Sequence, residues 1–143
     1  MTRVVFDSNI IGPWVCAHGG GEWDAGAGTE IGLCTDNGKI EAGVIYDNYN
    51  GANVMAHIAG IGNWASNRKF LWIIFDYPFN QLKVNRITVP VAESNRLARK
   101  FVERLGFELE YEAKDAHPSG SLFIYKMMAD RCRWLVLKGK HYG

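Results

Sequence analysis

The stretch "SNRLARKFVERLGFELE", Ser94 to Glu110, constrains the fold more than any other part of the chain. Leu97, Ala98, Phe101, Val102 and Leu105 recur at helical spacing, which predicts a helix with one apolar side. Gly106 follows at once, the residue type best suited to the left-handed position that closes a helix. Phe107 and an alternating run come next with no linker between. The chain is therefore expected to reverse from helix to strand across a single glycine, with Phe107 anchoring the new strand in a core.

The remaining segments fit around that reversal. "RVVF" reads as an edge strand, followed by a helical turn over Ile10 to Val15. "CAHGGGEWDAGAGTE" carries Gly19, Gly20, Gly21, Gly26 and Gly28, a composition that predicts a mobile loop from His18 to Gly28. "EIGLC", "TDNGK" and "IEAGVIY" form a hairpin about Asn37-Gly38, read as a two-residue turn. "NVMAHIAG" is apolar on both faces apart from His57, so it is placed centrally. After Gly62 the period changes: Phe70, Ile73, Ile74 and Tyr77 predict a helix capped by Ser66 and ended or kinked by Pro78. "NRITVPV" is a strand, and "FELEYEA" and "SLFIYKMM" are two more, separated by "KDAHPSG". This order predicts an α/β fold with a mixed sheet flanked by helices. At 143 residues, a single domain spanning 1–143 is expected.

Charge and cysteine content narrow the function classes. Sixteen basic against fifteen acidic residues supply no field for nonspecific nucleic-acid binding, although a local basic patch on Arg96, Arg99, Lys100 and Arg104 stays open beside a solvated-surface reading. Cys16, Cys34 and Cys132 fit neither a disulfide framework nor a zinc site, and point to a reducing, cytoplasmic setting. The start "MTRVVFDSN" lacks the apolar core of a signal peptide, and "FLWIIF" is too short to span a bilayer, so no membrane partner is expected.

Two motifs mislead. "HGGG" at His18 to Gly21 resembles an esterase oxyanion loop, but there is no G-x-S-x-G elbow to supply a nucleophile. "GAGTEIG" mimics a dinucleotide fingerprint but precedes a strand instead of following one. His18, His57, His117 and His141 share no ligand spacing, so no metal is implied.

The second half, read as a unit, is more specific. Asp76, Tyr77, Phe79, Leu82, Val84, Arg86, the strand Ile87 to Val91, Asn95, Glu103, Arg104, Gly106 and Phe107 keep a fixed set of intervals. That pattern resembles the GNAT superfamily of acyl-CoA-dependent N-acyltransferases, in particular the branch that acetylates ribosomal-protein and other α-amino groups. The resemblance implies the GNAT fold, a mixed, mostly antiparallel sheet with splayed central strands. It implies acetyl-CoA as acyl donor, and a primary amine, of a small molecule or a protein N-terminus, as acceptor.

It also implies a site. Main-chain amides from Ile58 to Gly60 would hold the thioester carbonyl. The pyrophosphate loop would fall on "GNWASN", with Gly62, Ala65 and Asn67 standing where the family has its basic residue, central glycine and last small residue, and the amides of Trp64, Ala65, Ser66, Asn67 and Arg68 turned to phosphate. Asn95 matches the side chain that bonds pantetheine, beside its simpler reading as a helix cap. Three departures stand out: the worn phosphate loop, Val102 where many members place a thiolate-protonating tyrosine, and "EYEAK" at Glu110 to Lys114 in place of Glu-Gly-x-x-Arg. His57 is the candidate general base, with His18 and Glu22 from the glycine-rich segment as alternatives. Trp14, Trp23 and Trp64 are candidate walls of an acceptor site. A phage-encoded DNA-modification protein of this shape and a cofactor-free binding domain are the competing expectations. The tail with Trp134, Leu135 and Leu137 offers either a homodimer surface or a cover for its own sheet.

Overall fold

A computed structural model describes residues 1–19 and 23–135. Seven strands form one sheet: β1 (Thr2–Val5), β2 (Thr29–Thr35), β3 (Ile40–Asp47), β4 (Asn53–Gly60), β5 (Arg86–Ala92), β6 (Glu108–His117) and β7 (Gly120–Met128). Their spatial order is β1-β2-β3-β4-β5-β7-β6. Every pairing is antiparallel except β4 with β5, so the expected mixed, mostly antiparallel sheet is what forms, with β4 at its centre. Among the described residues no helix is long and apolar enough to cross a membrane.

Helices cover the two faces unequally. α1 (Ser8–Gly19) packs on one face against Cys34, Ile45 and Ala59 through Ile11 and Val15. α2 (Arg68–Asp76) and α3 (Arg96–Leu105) pack on the other, where Phe70, Leu71, Ile74, Phe75, Val102 and Leu105 join the inward residues of β2 to β5 and β7. Each such fully buried aliphatic or aromatic side chain contributes roughly 1.5–3 kcal/mol of transfer free energy. Among the described residues no helix covers β5 to β6 on the α1 side, and Arg86, Thr88 and Lys126 there are half-buried.

The reversal after α3 is as expected. Gly106 has φ 109°, its N–H bonds the Glu103 carbonyl at 3.1 Å, and the Phe107 N–H bonds the Val102 carbonyl at 3.0 Å. Those two bonds satisfy the last carbonyls of the helix and turn the chain directly into β6. Phe107 is 4% exposed and its ring lies 6.1 Å from that of Phe75, which fixes the strand to the core.

Several boundaries differ from expectation for local reasons. α1 is a twelve-residue helix through Pro13, so Cys16 to Gly19 are helical and not loop. Burial of Ile11 and Val15 against the sheet outweighs the proline, which is the sixth of the twelve helical residues. Asn67, not Ser66, caps α2: its Oδ1 accepts from the Phe70 N–H at 3.0 Å, while Ser66 closes a 3₁₀ turn over Trp64–Ser66. α2 stops at Asp76, with Tyr77 as its C-cap directly before Pro78, so the expected end is met, although the chain runs on into a π-helical turn over Tyr77–Gln81. Only Gly38 of the Asn37-Gly38 pair has positive φ, and its N–H closes on the Thr35 carbonyl, a longer turn than the two-residue form. Leu97 is 81% exposed, at the margin of the α3 face centred on Ala98, Phe101, Val102 and Leu105. β6 runs on through His117, leaving a tight turn before Gly120.

Candidate active site

The sheet is split at its centre. β4 and β5 pair only through Asn53 with Arg86, Val54 with Ile87 and Met55 with Thr88, although β4 continues to Gly60 and β5 to Ala92. Beyond Met55 and Thr88 the two strands part, the splay expected from the sequence. β4 remains paired to β3 from Met55 to Gly60, and β5 to β7 over its whole length.

Main-chain groups line this split. The Ile61 N–H bonds the Glu41 carbonyl at 2.8 Å, and in an antiparallel ladder hydrogen-bonded positions alternate. Odd-numbered residues of β4 from Met55 onward therefore spend their polar groups on β3. Ala56, Ile58 and Gly60 turn theirs toward β5: the Ala56 N–H closes the last parallel pair, Met55 with Thr88, and those of Ile58 and Gly60 face the gap where β5 no longer pairs. Deeper in, an apolar cavity of about 10 Å³ between Ala56, Ile58 and Ile87 is sealed by Phe75 and Phe107.

The far end of the split is closed by an indole. Trp64 is 5% exposed, with its ring 4.5 Å from Phe101 of α3 and 5.8 Å from Phe70 of α2. It covers Gly60, which has no side chain to collide with it. Trp64 thus belongs to the α2–α3 core and not to an acceptor wall. Trp14 and Trp23 lie on the α1 side: Trp14 stacks on His18 at 4.0 Å, and Trp23 Nε1 donates to buried Glu30.

The loop from Gly62 to Asn67 commits part of its donor set. Of the amides from Trp64 to Arg68, those of Ser66 and Asn67 bond the carbonyls of Asn63 and Trp64, both at 3.0 Å. Trp64, Ala65 and Arg68 keep theirs for another acceptor at the approach to α2. Asn67 also donates through Nδ2 to Thr2 Oγ1 at 3.0 Å. Asn95 caps α3, its Oδ1 accepting from the Ala98 N–H at 3.2 Å, so only its Nδ2 is left to donate to a ligand.

His57 lies on the α1 face of β4, the first residue on that face past the last β4–β5 pair. Its Nε2 is 3.2 Å from Asp47 Oδ2 and 3.3 Å from Oδ1, with the two side chains 32% and 25% exposed. The C-terminal end of α1 reaches the same place: a Cβ on Gly19 would stand 3.2 Å from Ala59 Cβ. His18 is nevertheless not joined to His57. Its Nδ1–H donates to the Trp14 carbonyl of its own helix at 2.9 Å. Glu22 lies outside the described residues, as does Leu137.

Three acidic groups that the sequence did not single out complete this face. Asp47 is the partner of His57. Glu30, 2% exposed, stands in the same cross-strand row, since Glu30 pairs with Ile45 and Ile45 with His57. Farther along, Glu110 receives Arg86 in two-pronged fashion at 2.8 and 2.9 Å, with Lys126 at 3.7 Å. The Arg86 guanidinium holds the Glu110 carboxyl below its ordinary value. Thr88 continues the row, donating to Asn53 Oδ1 at 2.6 Å. Glu110 is the first residue of "EYEAK", so that departure supplies an ion pair to Arg86. On α3, Arg99 is not merely solvated: its guanidinium lies 3.9 Å over the Phe123 ring. No group of metal-ligating side chains occurs among the described residues.

No family model and no curated protein matches the chain. Solved structures do. A mutant form of the spermidine/spermine N-acetyltransferase SpeG from Vibrio cholerae matches with TM-score 0.69 at 12% identity, over 91% of this chain and 96% of that one. The ribosomal-protein-S5-alanine acetyltransferase from Vibrio fischeri matches with TM-score 0.61 at 18% identity, over 75% of this chain and 64% of that one. An acetyltransferase of the GNAT family from Bacillus anthracis gives 0.58 at 13%, over 71% and 66%. At these identities the likeness is one of fold, and the fold is that of the GNAT acetyltransferases.

Proposed function

We propose that the protein is an acyl-CoA-dependent N-acyltransferase that moves an acetyl group from acetyl-CoA to a primary amine. The observation that carries this reading is the pair of unpaired main-chain amides on Ile58 and Gly60, facing a gap where a seven-stranded sheet of GNAT order comes apart. An exposed strand edge of this kind suits a thin ligand with amides of its own, as a pantetheine arm is.

Acetyl-CoA, when bound, supplies an activated thioester. The chain's own residues supply the rest. The Ile58 and Gly60 amides are donors fixed by the β3 ladder, suited to a carbonyl oxygen that gains negative charge. Asn95 Nδ2 and the spare amides of Trp64, Ala65 and Arg68 are the groups left to hold the arm and its phosphates. His57, at the lip of the split on the α1 face, takes the proton of the attacking amine. The α1 face, with Asp47 and Glu30 beside His57, is the acceptor side and suits a cationic amine.

The test is thermal. Acetyl-CoA binds only the native state in this reading, so it raises the melting temperature with concentration. Turnover is then assayed with spermidine and with an alanine-ended peptide, acceptor types taken from the names of the structural neighbours. No shift with acetyl-CoA or CoA at millimolar concentration overturns the reading. A second reading, a cofactor-free binding domain, draws on Trp64 seated over Gly60. Carried-over CoA in the mass spectrum of protein purified without ligand decides against it.

A further inference from the structure

We infer that Asp47 is a positioning residue that holds His57 in its Nε2–H tautomer and so leaves Nδ1 as the nitrogen that accepts a proton. The inference rests on the transfer reading for its chemical purpose, but the geometry is independent of it. Both Asp47 oxygens lie within 3.3 Å of His57 Nε2, and no other nitrogen of the ring has a hydrogen bond among the described residues. A neutral imidazole has one donor and one acceptor nitrogen, and a carboxylate on Nε2 makes that atom the donor.

The carboxylate is itself held. Asn48 Nδ2 donates to Asp47 Oδ1 at 3.1 Å and lies 3.5 Å from Met55 Sδ, on the strand that carries His57. Asn48 has φ 53°, in the left-handed region that asparagine tolerates better than most residues. Asp47 pairs with Met55 across β3 and β4, which places its side chain on the face of His57, one pair along. Other charged or titratable groups near this face bond elsewhere: His18 of α1 with the Trp14 carbonyl, Arg86 of β5 with Glu110, and Glu30 of β2 through one oxygen with Trp23, its second oxygen being buried without a hydrogen bond among the described residues. Asp47 is therefore the group that sets the ring.

Long-range ¹H–¹⁵N correlation of the histidine rings reads the tautomer directly. The His57 signals are assigned by their absence in His57→Gln. The expected result is an Nε2–H ring in the parent protein at a pH where it is neutral, retained in Asp47→Glu and replaced by a mixture of tautomers in Asp47→Ala. An Nδ1–H ring in the parent, or an unchanged ring in Asp47→Ala, overturns the inference. Wherever spermidine or the alanine-ended peptide turns over, Asp47→Ala is expected to lower kcat at least tenfold with the KM for acetyl-CoA unchanged, and Asp47→Glu to recover most of the loss. Equal kcat in the parent and Asp47→Ala also overturns it. Should neither amine turn over and acetyl-CoA not bind, the transfer reading fails alone, and the tautomer measurement still decides what Asp47 does.

Discussion

The Trp64 indole lies so close over Gly60 that a Cβ added to the glycine would stand 1.9 Å from Trp64 Nε1. No side-chain adjustment small enough to keep the Phe101 and Phe70 contacts removes that clash. Gly60→Ala is expected to cost about 1–3 kcal/mol through overpacking. Trp64→Ala is expected to cost about 3–5 kcal/mol by leaving a cavity between β4, α2 and α3. Urea unfolding midpoints measure both, and a Gly60→Ala protein as stable as the parent contradicts the close packing.

Asn95 carries two separable roles. Asn95→Ala is expected to lower the stability of the ligand-free protein by about 1 kcal/mol, because the Ala98 N–H loses its acceptor. In the presence of acetyl-CoA it is expected to lose roughly a further 1 kcal/mol from the ligand-induced stabilisation, the worth of one neutral hydrogen bond. Melting curves with and without acetyl-CoA separate the two. A loss of the same size with and without acetyl-CoA assigns Asn95 to the cap alone.

Replacing the ring of His57 tests the base. His57→Gln is expected to lower kcat by about 10²–10⁴-fold, the usual span for general-base catalysis, and to abolish the acid limb of the pH-rate profile. Acetyl-CoA affinity is expected to change little, since the His57 side chain lies on the opposite face from Trp64. Unchanged turnover leaves His57 as a structural partner of Asp47.

Glu110 makes part of the stability depend on acid. Its carboxyl is held below the ordinary value of 4.5, first by the hydrogen bonds from Arg86, so the ionised form is favoured in the folded state. That contribution is fully present above the ordinary value and is lost as pH falls through the depressed one. Glu110→Gln is expected to flatten the stability profile below about pH 4.5 relative to the parent, as read by urea midpoints at stepped pH. The effect is modest, because the pair is partly solvated.

Burial pushes the Cys132 thiol from 9.0 up to about 11. Its thiolate fraction at pH 8 is then on the order of a hundredfold below that of an unfolded cysteine. Alkylation followed by peptide mass spectrometry is expected to leave Cys132 unmodified in the folded protein and to modify it readily in urea. Comparable rates in the two states contradict its burial.

The parts of the fold written locally were legible. Gly106 and Phe107 announced the turn from α3 into β6 because a glycine cap and an apolar anchor are properties of adjacent residues. The Asn95 cap and the order of strands and helices were legible for the same reason. The site was less so. The His57–Asp47 pair depends on the register of β3 against β4, which are joined by five residues, 48–52, and not by a tight turn that would fix it. Glu30 gave a faint sign, a carboxylate opening an apolar strand, but its burial depends on Trp23 arriving from beyond α1. Trp64 misled because a tryptophan in a phosphate-loop position has no local mark that distinguishes a wall from a core. The length of α1 was missed because the pull of Ile11 and Val15 toward the sheet is a tertiary force that offsets Pro13.

The split also falls at one point of the sequence. Every described strand up to Gly60 lies on one side of it and every described strand from Arg86 onward on the other. Three residue pairs, Asn53–Arg86 to Met55–Thr88, are the ladder pairs that join the two sides edge to edge, and the segment 61–85, with α2 and its π-helical turn, is the covalent crossing. The sides are otherwise held by one apolar core, in which Ile31, Val44 and Val54 share a cluster with Ile87, Phe107 and Tyr125. A ligand seated in the split would touch both sides and brace that core from its open end, so in a chain nicked within 61–85 it would help to keep the two pieces together.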